Sequence, residues 1–320
     1  MVSGDGDEQT AKLLDAIFAG NPPSGIFTAG DNVNEDPVNL SDFMAYFNPT
    51  WGRHKSLIRP APGNHDYLDT AGVGQGLFDY FNGIGNFTGP AGDRDKGYYS
   101  YDLGAWHIVV LNSNCSKVGG CGAGSPQEKW LRADLAVHPT ACSAAMWHQP
   151  RFSSGQHGSN SAVQALWQAL YDYGAEVVFS GHNHVYERFA PQDATGTADP
   201  MGIREFVVGT GGKGHHSWIS GPLANEEVRN NDTWGVIKLT LRPTSFDRQF
   251  MPVTGGTFTD SGNQSCHVTD PTSLPVGGTA ELPDVSDRSA PHYIPLAGLA
   301  AAVLVALTAG AWYARRRRLR

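Results

Sequence analysis

What this chain lacks narrows it before any motif is read. Charged residues make up 17% of 320 positions, and 23 Lys and Arg are outnumbered by 31 Asp and Glu, for a formal net charge of −8. A surface so poor in cations does not suit nucleic acid, whose phosphates are held chiefly by clustered Lys and Arg. Phosphate chemistry in such a chain has to rest on metal. No internal repeat and no heptad is present, which excludes solenoids and coiled coils. The opening MVSGDGDEQTAKLL has neither the basic start nor the apolar run of an export signal. Cysteine is scarce, with Cys115, Cys121, Cys142 and Cys266.

An even count of cysteines suits disulfides in an oxidising exterior, and three pairings are possible. Cys115 and Cys121 flank the Gly-rich turn KVGGCG, so that short bridge, with Cys142 to Cys266 as the long one, is the favoured arrangement. A buried thiol at Cys142 is the alternative. Hydrophobic residues at 40% are enough for one large domain.

The cations that are present crowd the end, at Arg315 to Arg318 and Arg320. Before them, 293–314 is an uncharged run of roughly 22 residues, roughly 33 Å as a helix, which is long enough to span a bilayer. Trp312 and Tyr313 sit where interfacial aromatics belong, and the positive-inside rule puts the arginines in the cytoplasm. The expected organisation is a domain over 1–269, a Pro/Ser/Thr/Gly-rich flexible stalk over 270–292, a transmembrane helix over 293–314 and a basic cytoplasmic tail over 315–320. The chain would then be a single-pass cell-membrane protein with its large domain outside. Leu282-Pro283-Asp284-Val285-Ser286 is similar to a Gram-positive sorting signal, but Val285 and Ser286 replace the Thr and Gly at the cut, which favours a retained anchor.

Within the large domain, strands and helices alternate. Thr10 to Gly20 carries Leu13, Leu14, Ile17 and Phe18 at helical spacing, and GIFTA at 25–29 is a strand that runs into Gly30-Asp31-Asn32. YYSYDLGAWHIVVLNSN reads as two strands joined at Gly104, and Ser125-Pro126 caps a helix. Ser143 to Trp147 leads into His148-Gln149-Pro150-Arg151. The helix at 163–174 precedes the strand EVVFS and Gly181-His182-Asn183-His184, with further strands at Arg204 and Trp234. This alternation predicts an α/β fold with its polar loops at strand ends, where ligands gather in α/β sheets.

Each of four strand-like runs is thus followed by candidate metal donors: Asp31, then Asn64 in GNHD at 63–66, then His148, then His182 and His184. Oxygen and imidazole donors of this kind suit a carboxylate-bridged pair of metal ions. Singly, a GD or an NH dipeptide is common; the ordered series is not. On these motifs, residues 10 to 255 resemble the calcineurin-like metallophosphoesterases, and within them the purple acid phosphatase branch.

The resemblance implies a four-layer αββα sandwich with two divalent or mixed-valence metal ions of Fe, Zn or Mn at one edge. It implies that Asp31 bridges them, that Asn64, His148 and His182 bind one, and that His184 binds the other. His65 would contact the phosphate or protonate the leaving group as the catalytic residue. Arg151 and His157 are expected at the substrate mouth. The implied activity is hydrolysis of a small phosphorylated substrate by a metal-activated hydroxide. A phosphodiesterase or nucleotidase on the same core, or an impaired metal- and phosphate-binding surface protein, are the alternatives.

Two departures qualify this. Gly4-Asp5-Gly6-Asp7 lacks a preceding strand and lies close to the second motif, so the first metal motif has no clear match, and an N-terminally truncated sequence is expected. Asn34 stands where the purple enzymes place a tyrosinate, which argues against a coloured ferric centre. Trp51, Tyr67, Trp218 and Trp234 are read as packing residues ahead of cleft residues.

Overall fold

The computed structural model describes residues 6–267, apart from positions 21 and 141. The chain opens with α1 (Asp7–Gly20), β1 (Ile26–Thr28), a single helical turn α2 (Leu40–Asp42) continued by a π-turn, β2 (Ile58–Pro60) and α3 (Gln75–Asn82). The hairpin β3 (Tyr99–Leu103) and β4 (Trp106–Val110) follows, then α4 (Pro126–Val137), β5 (Cys142–Met146), α5 (Gln164–Asp172) and β6 (Val177–Ser180). The remainder is β: β7 (Tyr186–Phe189), β8 (Arg204–Val208), β9 (Glu226–Asn230), β10 (Gly235–Arg242), β11 (Ser245–Pro252) and β12 (Ser261–Ser265).

Seven strands form one sheet in the order β3-β4-β5-β6-β8-β7-β9. Its centre, β4, β5, β6 and β8, is parallel. Every residue of β4, β5 and β6 is buried, as parallel strands covered on both faces must be. The charged strand β9 (EEVRN) closes one edge, where unpaired backbone is tolerated best beside charge. A parallel pair, β1 and β2, and the antiparallel meander β10-β11-β12 make the other strands.

Three apolar clusters order the layers. One, with Leu131, Leu135, Leu166, Trp167 and Leu170 against Val109, Ala145 and Val178, lies between α4, α5 and the large sheet. A second, with Ile108, Met146, Phe179, Phe206, Phe246 and Phe250, lies between the large sheet and the β10–β12 strands. The third sets Ala11 and Leu14 of α1 and Leu77, Phe78 and Phe81 of α3 over Ile26, Ile58 and Val236. Helix, sheet, sheet and helix follow in that order, each burying the apolar side of its neighbour.

Ser125 caps α4 as its position demands, its Oγ accepting from Glu128 N at 3.3 Å with Pro126 next in line. Disulfides join Cys115 to Cys121 and Cys142 to Cys266, the favoured pairing of the three. Among the described residues no helix is long and apolar enough to cross a membrane, and the stalk, the 293–314 run and the arginine tail lie outside those residues.

Candidate metal centre

β1, β2, β5 and β6 all release their chains at one end of the fold, and the four sequence motifs follow them. The backbones there approach one another more closely than side chains would permit. A Cβ on Gly63 would lie 2.0 Å from the Asp31 nitrogen, and one on Gly30 would lie 2.5 Å from His148 Nδ1. Asp31 (φ 48°) and His182 (φ 60°) adopt left-handed backbone without being glycine. Such conformations cost of order 1–3 kcal/mol and persist where surrounding structure enforces them, typically at functional sites.

The side chains converge. His148 Nε2 lies 2.9 Å from Asn64 Oδ1, 3.2 Å from Asp31 Oδ2 and 3.1 Å from His182 Nδ1. One ligand atom from each of Asp31, His148 and His182 falls within 4.8 Å of the others. His184 stands beside this group but outside it. Its Nδ1 bonds Gly214 O at 2.8 Å, as His148 Nδ1 bonds Ala29 O at 2.7 Å. A carbonyl can only accept, so in both rings Nδ1 carries the proton and Nε2 is left as the donor atom. His65 donates its backbone N–H to Asp31 Oδ1 at 2.8 Å, and its Nδ1 lies 3.3 Å from Glu35 O.

Electrostatics suit cation binding. Burial would raise the Asp31 carboxyl, but the charge and hydrogen bond of His148, with help from His65, hold it well below the usual range. Burial, reinforced by the imidazolium of His148, pushes His182 down to about 3, and burial pushes His184 down to about 4. For His148 itself burial is outweighed by Asp31, and its pKa rises. The group therefore offers one carboxylate, two imidazoles (His182 and His184) with lone pairs available near neutrality, and His148, whose Nε2 an ion would take by displacing its proton, a donor set that fits Zn, Mn or Fe(II).

The two expected mouth residues part company. His157 is exposed, with its ring 4.4 Å from that of His182, and its backbone N–H is held by Asn183 Oδ1 at 2.7 Å. Arg151 corrects the expectation, because its side chain is buried and turned inward, with Nη2 donating to Ala194 O at 2.9 Å. The backbone there is anchored instead, since Glu205 accepts the N–H groups of Arg151 and Phe152. Trp51 and Tyr67 are buried and pack, as expected.

Sequence reading missed two contributors. Asn183, fully buried between the two histidines, bonds Ser153 Oγ, Gly158 O and His157 N, and so ties the His148 loop to the His182 loop. His216 stacks on His184 at 3.8 Å, and its Nδ1 accepts from His184 N at 3.1 Å. Nothing in the spacing of GGKGHHSW flags it. Between Asp7 and Asp31 the described chain runs through α1 and β1. Gly6 N donates to Gly212 O at 2.6 Å, and Gly212 lines the same cavity of about 530 Å³ as Asp31, His148, His182 and His184.

A mixed α/β sandwich with carboxylate, amide and imidazole donors on loops after successive strands defines a metallophosphoesterase-type architecture. Residues 3–186 match the family model described as calcineurin-like phosphoesterase, a span that includes Gly4–Asp7. The chain belongs to the calcineurin-like phosphoesterase family, in its purple acid phosphatase-like branch. Purple acid phosphatase 15 of Arabidopsis thaliana is 29% identical over 174 residues, 51% of this chain and 32% of that protein. Human acid phosphatase type 7 is 25% identical over 180 residues, 50% of this chain and 39% of its own length. This chain thus spans about a third of the curated relatives it matches. In fold it is similar to the purple acid phosphatase PPD1 from yellow lupin (Lupinus luteus) seeds, with a TM-score of 0.66 and 19% identity, over 84% of this chain and 50% of that one. It is also similar to GAP50, the anchor in the inner membrane complex of Plasmodium, with a TM-score of 0.64 and 12% identity, over 83% of this chain and 86% of that one.

Proposed function

We propose that this chain hydrolyses small phosphate monoesters at a dinuclear metal site built on Asp31, Asn64, His148, His182 and His184. The observation that carries this is the convergence of ligand atoms from separate strand-end loops, with Asp31, His148 and His182 inside 4.8 Å. Divalent ions held there would supply Lewis-acid activation of water and of the phosphoryl oxygens. The protein's own share is positional. Ala29 O and Gly214 O fix the tautomers of His148 and His184, and His65 N orients the Asp31 carboxylate.

His65, whose Nδ1–H is taken by Glu35 O, presents Nε2 for the phosphate or the leaving oxygen and serves as proton donor when that nitrogen also carries a proton. The Gly4–Asp7 segment supplies the carboxylate that the His184 position otherwise lacks. Replacing Asp5 or Asp7 by Asn separately, and counting metal per chain, identifies which residue does so. The large domain faces the exterior, a reading to which the two disulfides lend support. The 293–314 run anchors it, which carbonate extraction of native membranes checks.

The test is to load the chelated chain with Zn2+, Mn2+ or Fe2+ and follow p-nitrophenyl phosphate against its diester. Metal uptake with monoester turnover is expected. Loss of His65, as His65→Ala, should cut kcat about 100-fold while leaving metal content unchanged. A second reading, a phosphate-binding module holding one ion, is favoured by the position of His184 outside the three-residue group. Bound metal without turnover would support it, and no uptake at all would sink both.

A further inference from the structure

At the opposite end of the parallel strands lies another arrangement of imidazole and carboxylate. His107, on β4, is 1% exposed and its ring is gripped at both nitrogens. Nδ1 meets Asp102 Oδ1 at 2.8 Å, directly across the hairpin, where Asp102 and His107 are register partners. Nε2 meets Asp134 Oδ2 at 2.8 Å, near the end of α4. One turn on, at the C-cap of that helix, His138 stacks its ring on His107 at 4.2 Å. In β5 the register partner of His107 is Ser143, five residues before His148, or roughly 17 Å along the strand. This corner is therefore separate from the metal centre.

We propose that His107, Asp134 and His138 form a second metal site, for one Zn2+ ion held by two imidazole nitrogens and a carboxylate. One ligand atom from each lies within 4.8 Å of the others. The surroundings prepare both rings for the same task. Asp102 takes the Nδ1 proton of His107, and Asp134 O lies 2.8 Å from His138 Nδ1, so a carbonyl takes that proton too. Each imidazole thereby has Nδ1 committed and Nε2 left as its donor nitrogen, the carboxylate–histidine and carbonyl–histidine arrangement that orients metal-binding rings. Ser100 Oγ donates to Asp134 Oδ1 at 2.8 Å and leaves Oδ2 for the ion.

Two nitrogens and one oxygen, with water as the fourth ligand, are a common zinc set. The ion enters by replacing the proton between His107 Nε2 and Asp134 Oδ2, and that proton leaves to solvent. A cavity of about 400 Å³, lined in part by Ser100, Trp130 and Asp134, borders the carboxylate of this group. The side chain of His138 is 37% exposed, and its ring must rotate off the stack on His107 for its nitrogen to reach the ion. Such an ion would pin β3, β4 and the end of α4 together. It is independent of the phosphoesterase reading.

The full chain is stripped with chelator, loaded with Zn2+, dialysed and assayed for zinc per chain, with circular dichroism as the folding check. His138→Ala and Asp134→Asn are each expected to retain about one ion fewer than the parent. They should keep the same kcat on p-nitrophenyl phosphate, and Zn2+ should no longer raise the Tm of a His182→Ala background once His138→Ala is added. His107→Gln is the more disruptive variant, and the exposed His138 keeps the test open if that one fails to fold. Equal zinc content in parent and His138→Ala, or a Zn2+-induced rise in Tm that survives the double substitution, would overturn the proposal and leave a structural ion pair.

Discussion

The two ends of the large sheet use the same residue types on different backbone supports. At the metal centre the donors sit on loops, two of them in left-handed backbone; the Asp31–His148 pair is held by mutual attraction, while the buried groups around it are driven by loss of water. Burial pushes Asp66 up to about 6, Glu187 to about 7 and Glu205 to about 8, while His182 falls to about 3. At the His107 corner the groups sit on a regular strand and a helix end. There, mutual pairing outweighs burial, so His107 rises and Asp134 falls. Rigid elements can hold an ion pair at hydrogen-bond distance, whereas loops are shaped by how closely backbones approach. The first end is the more fragile to steric change.

The largest effect that separates the two ends is expected from Gly63→Ala. Its Cβ would fall 2.0 Å from Asp31 N and 2.1 Å from Asp31 Oδ1, neither of which can move without shifting the candidate bridging carboxylate. Metal content at the centre should be lost and turnover should drop at least about 100-fold, the scale of displacing a positioned catalytic group. Zinc at the His107 corner should be unaffected. Retention of metal and of activity by this variant would show that the close approach is not what builds the site.

Next in size is Asn183→Ala. This side chain makes three hydrogen bonds at zero exposure, and its loss takes the partner from Gly158 O and His157 N, while Ser153 Oγ keeps Glu187 Oε2 and Gly155 N. Unsatisfied buried groups cost about 1–3 kcal/mol each before relaxation, so about 3 kcal/mol in a urea melt is expected once water has repaired part of the damage. KM should rise as well, because His157 is released from its place beside His182. A loss under about 1 kcal/mol would mean that the two loops hold each other by other means.

These regions also differ in how legible they were. The metal end could be read because each donor follows an extended, strand-like run, and the order of the motifs survives translation into strands β1, β2, β5 and β6. Asn183 was passed over since its neighbours are the donors and it points the other way. Arg151 misled because adjacency to His148 in sequence says nothing of a side chain buried against Ala194 O. Strands β7, β9 and β12 were not foreseen; β9 (EEVRN) and β12 (SGNQS) are polar edge segments that take their conformation from a neighbour's register and not from their own pattern. The His107 corner needed both the hairpin register and the end of α4. The turn at Gly104 would have given the first, since it sets Asp102 opposite His107.

The smallest effect sharpens the contrast in ionisation. Glu205 holds the N–H groups of Arg151 and Phe152 while carrying a pKa pushed up to about 8, by burial above all and then by neighbouring Glu187. An unfolded glutamate ionises near 4.3, so between roughly pH 5 and 8 the folded chain binds a proton that the unfolded chain does not. Stability then falls as pH rises through this window, because the slope follows protons bound unfolded minus folded. The lowered His182, His184 and His216 act in the other direction, chiefly below their unfolded value of about 6.5, which makes pH 7 to 8 the clean interval. Urea melts of the chelated protein should therefore lose stability from pH 7 to 8, and Glu205→Gln should remove about 1 kcal/mol of that loss. Because Gln keeps an acceptor for one of the two N–H groups, the variant is read by its slope and not by its absolute stability. An unchanged slope would mean that Glu205 is ionised in the folded protein, and that pairing governs both ends of the sheet alike.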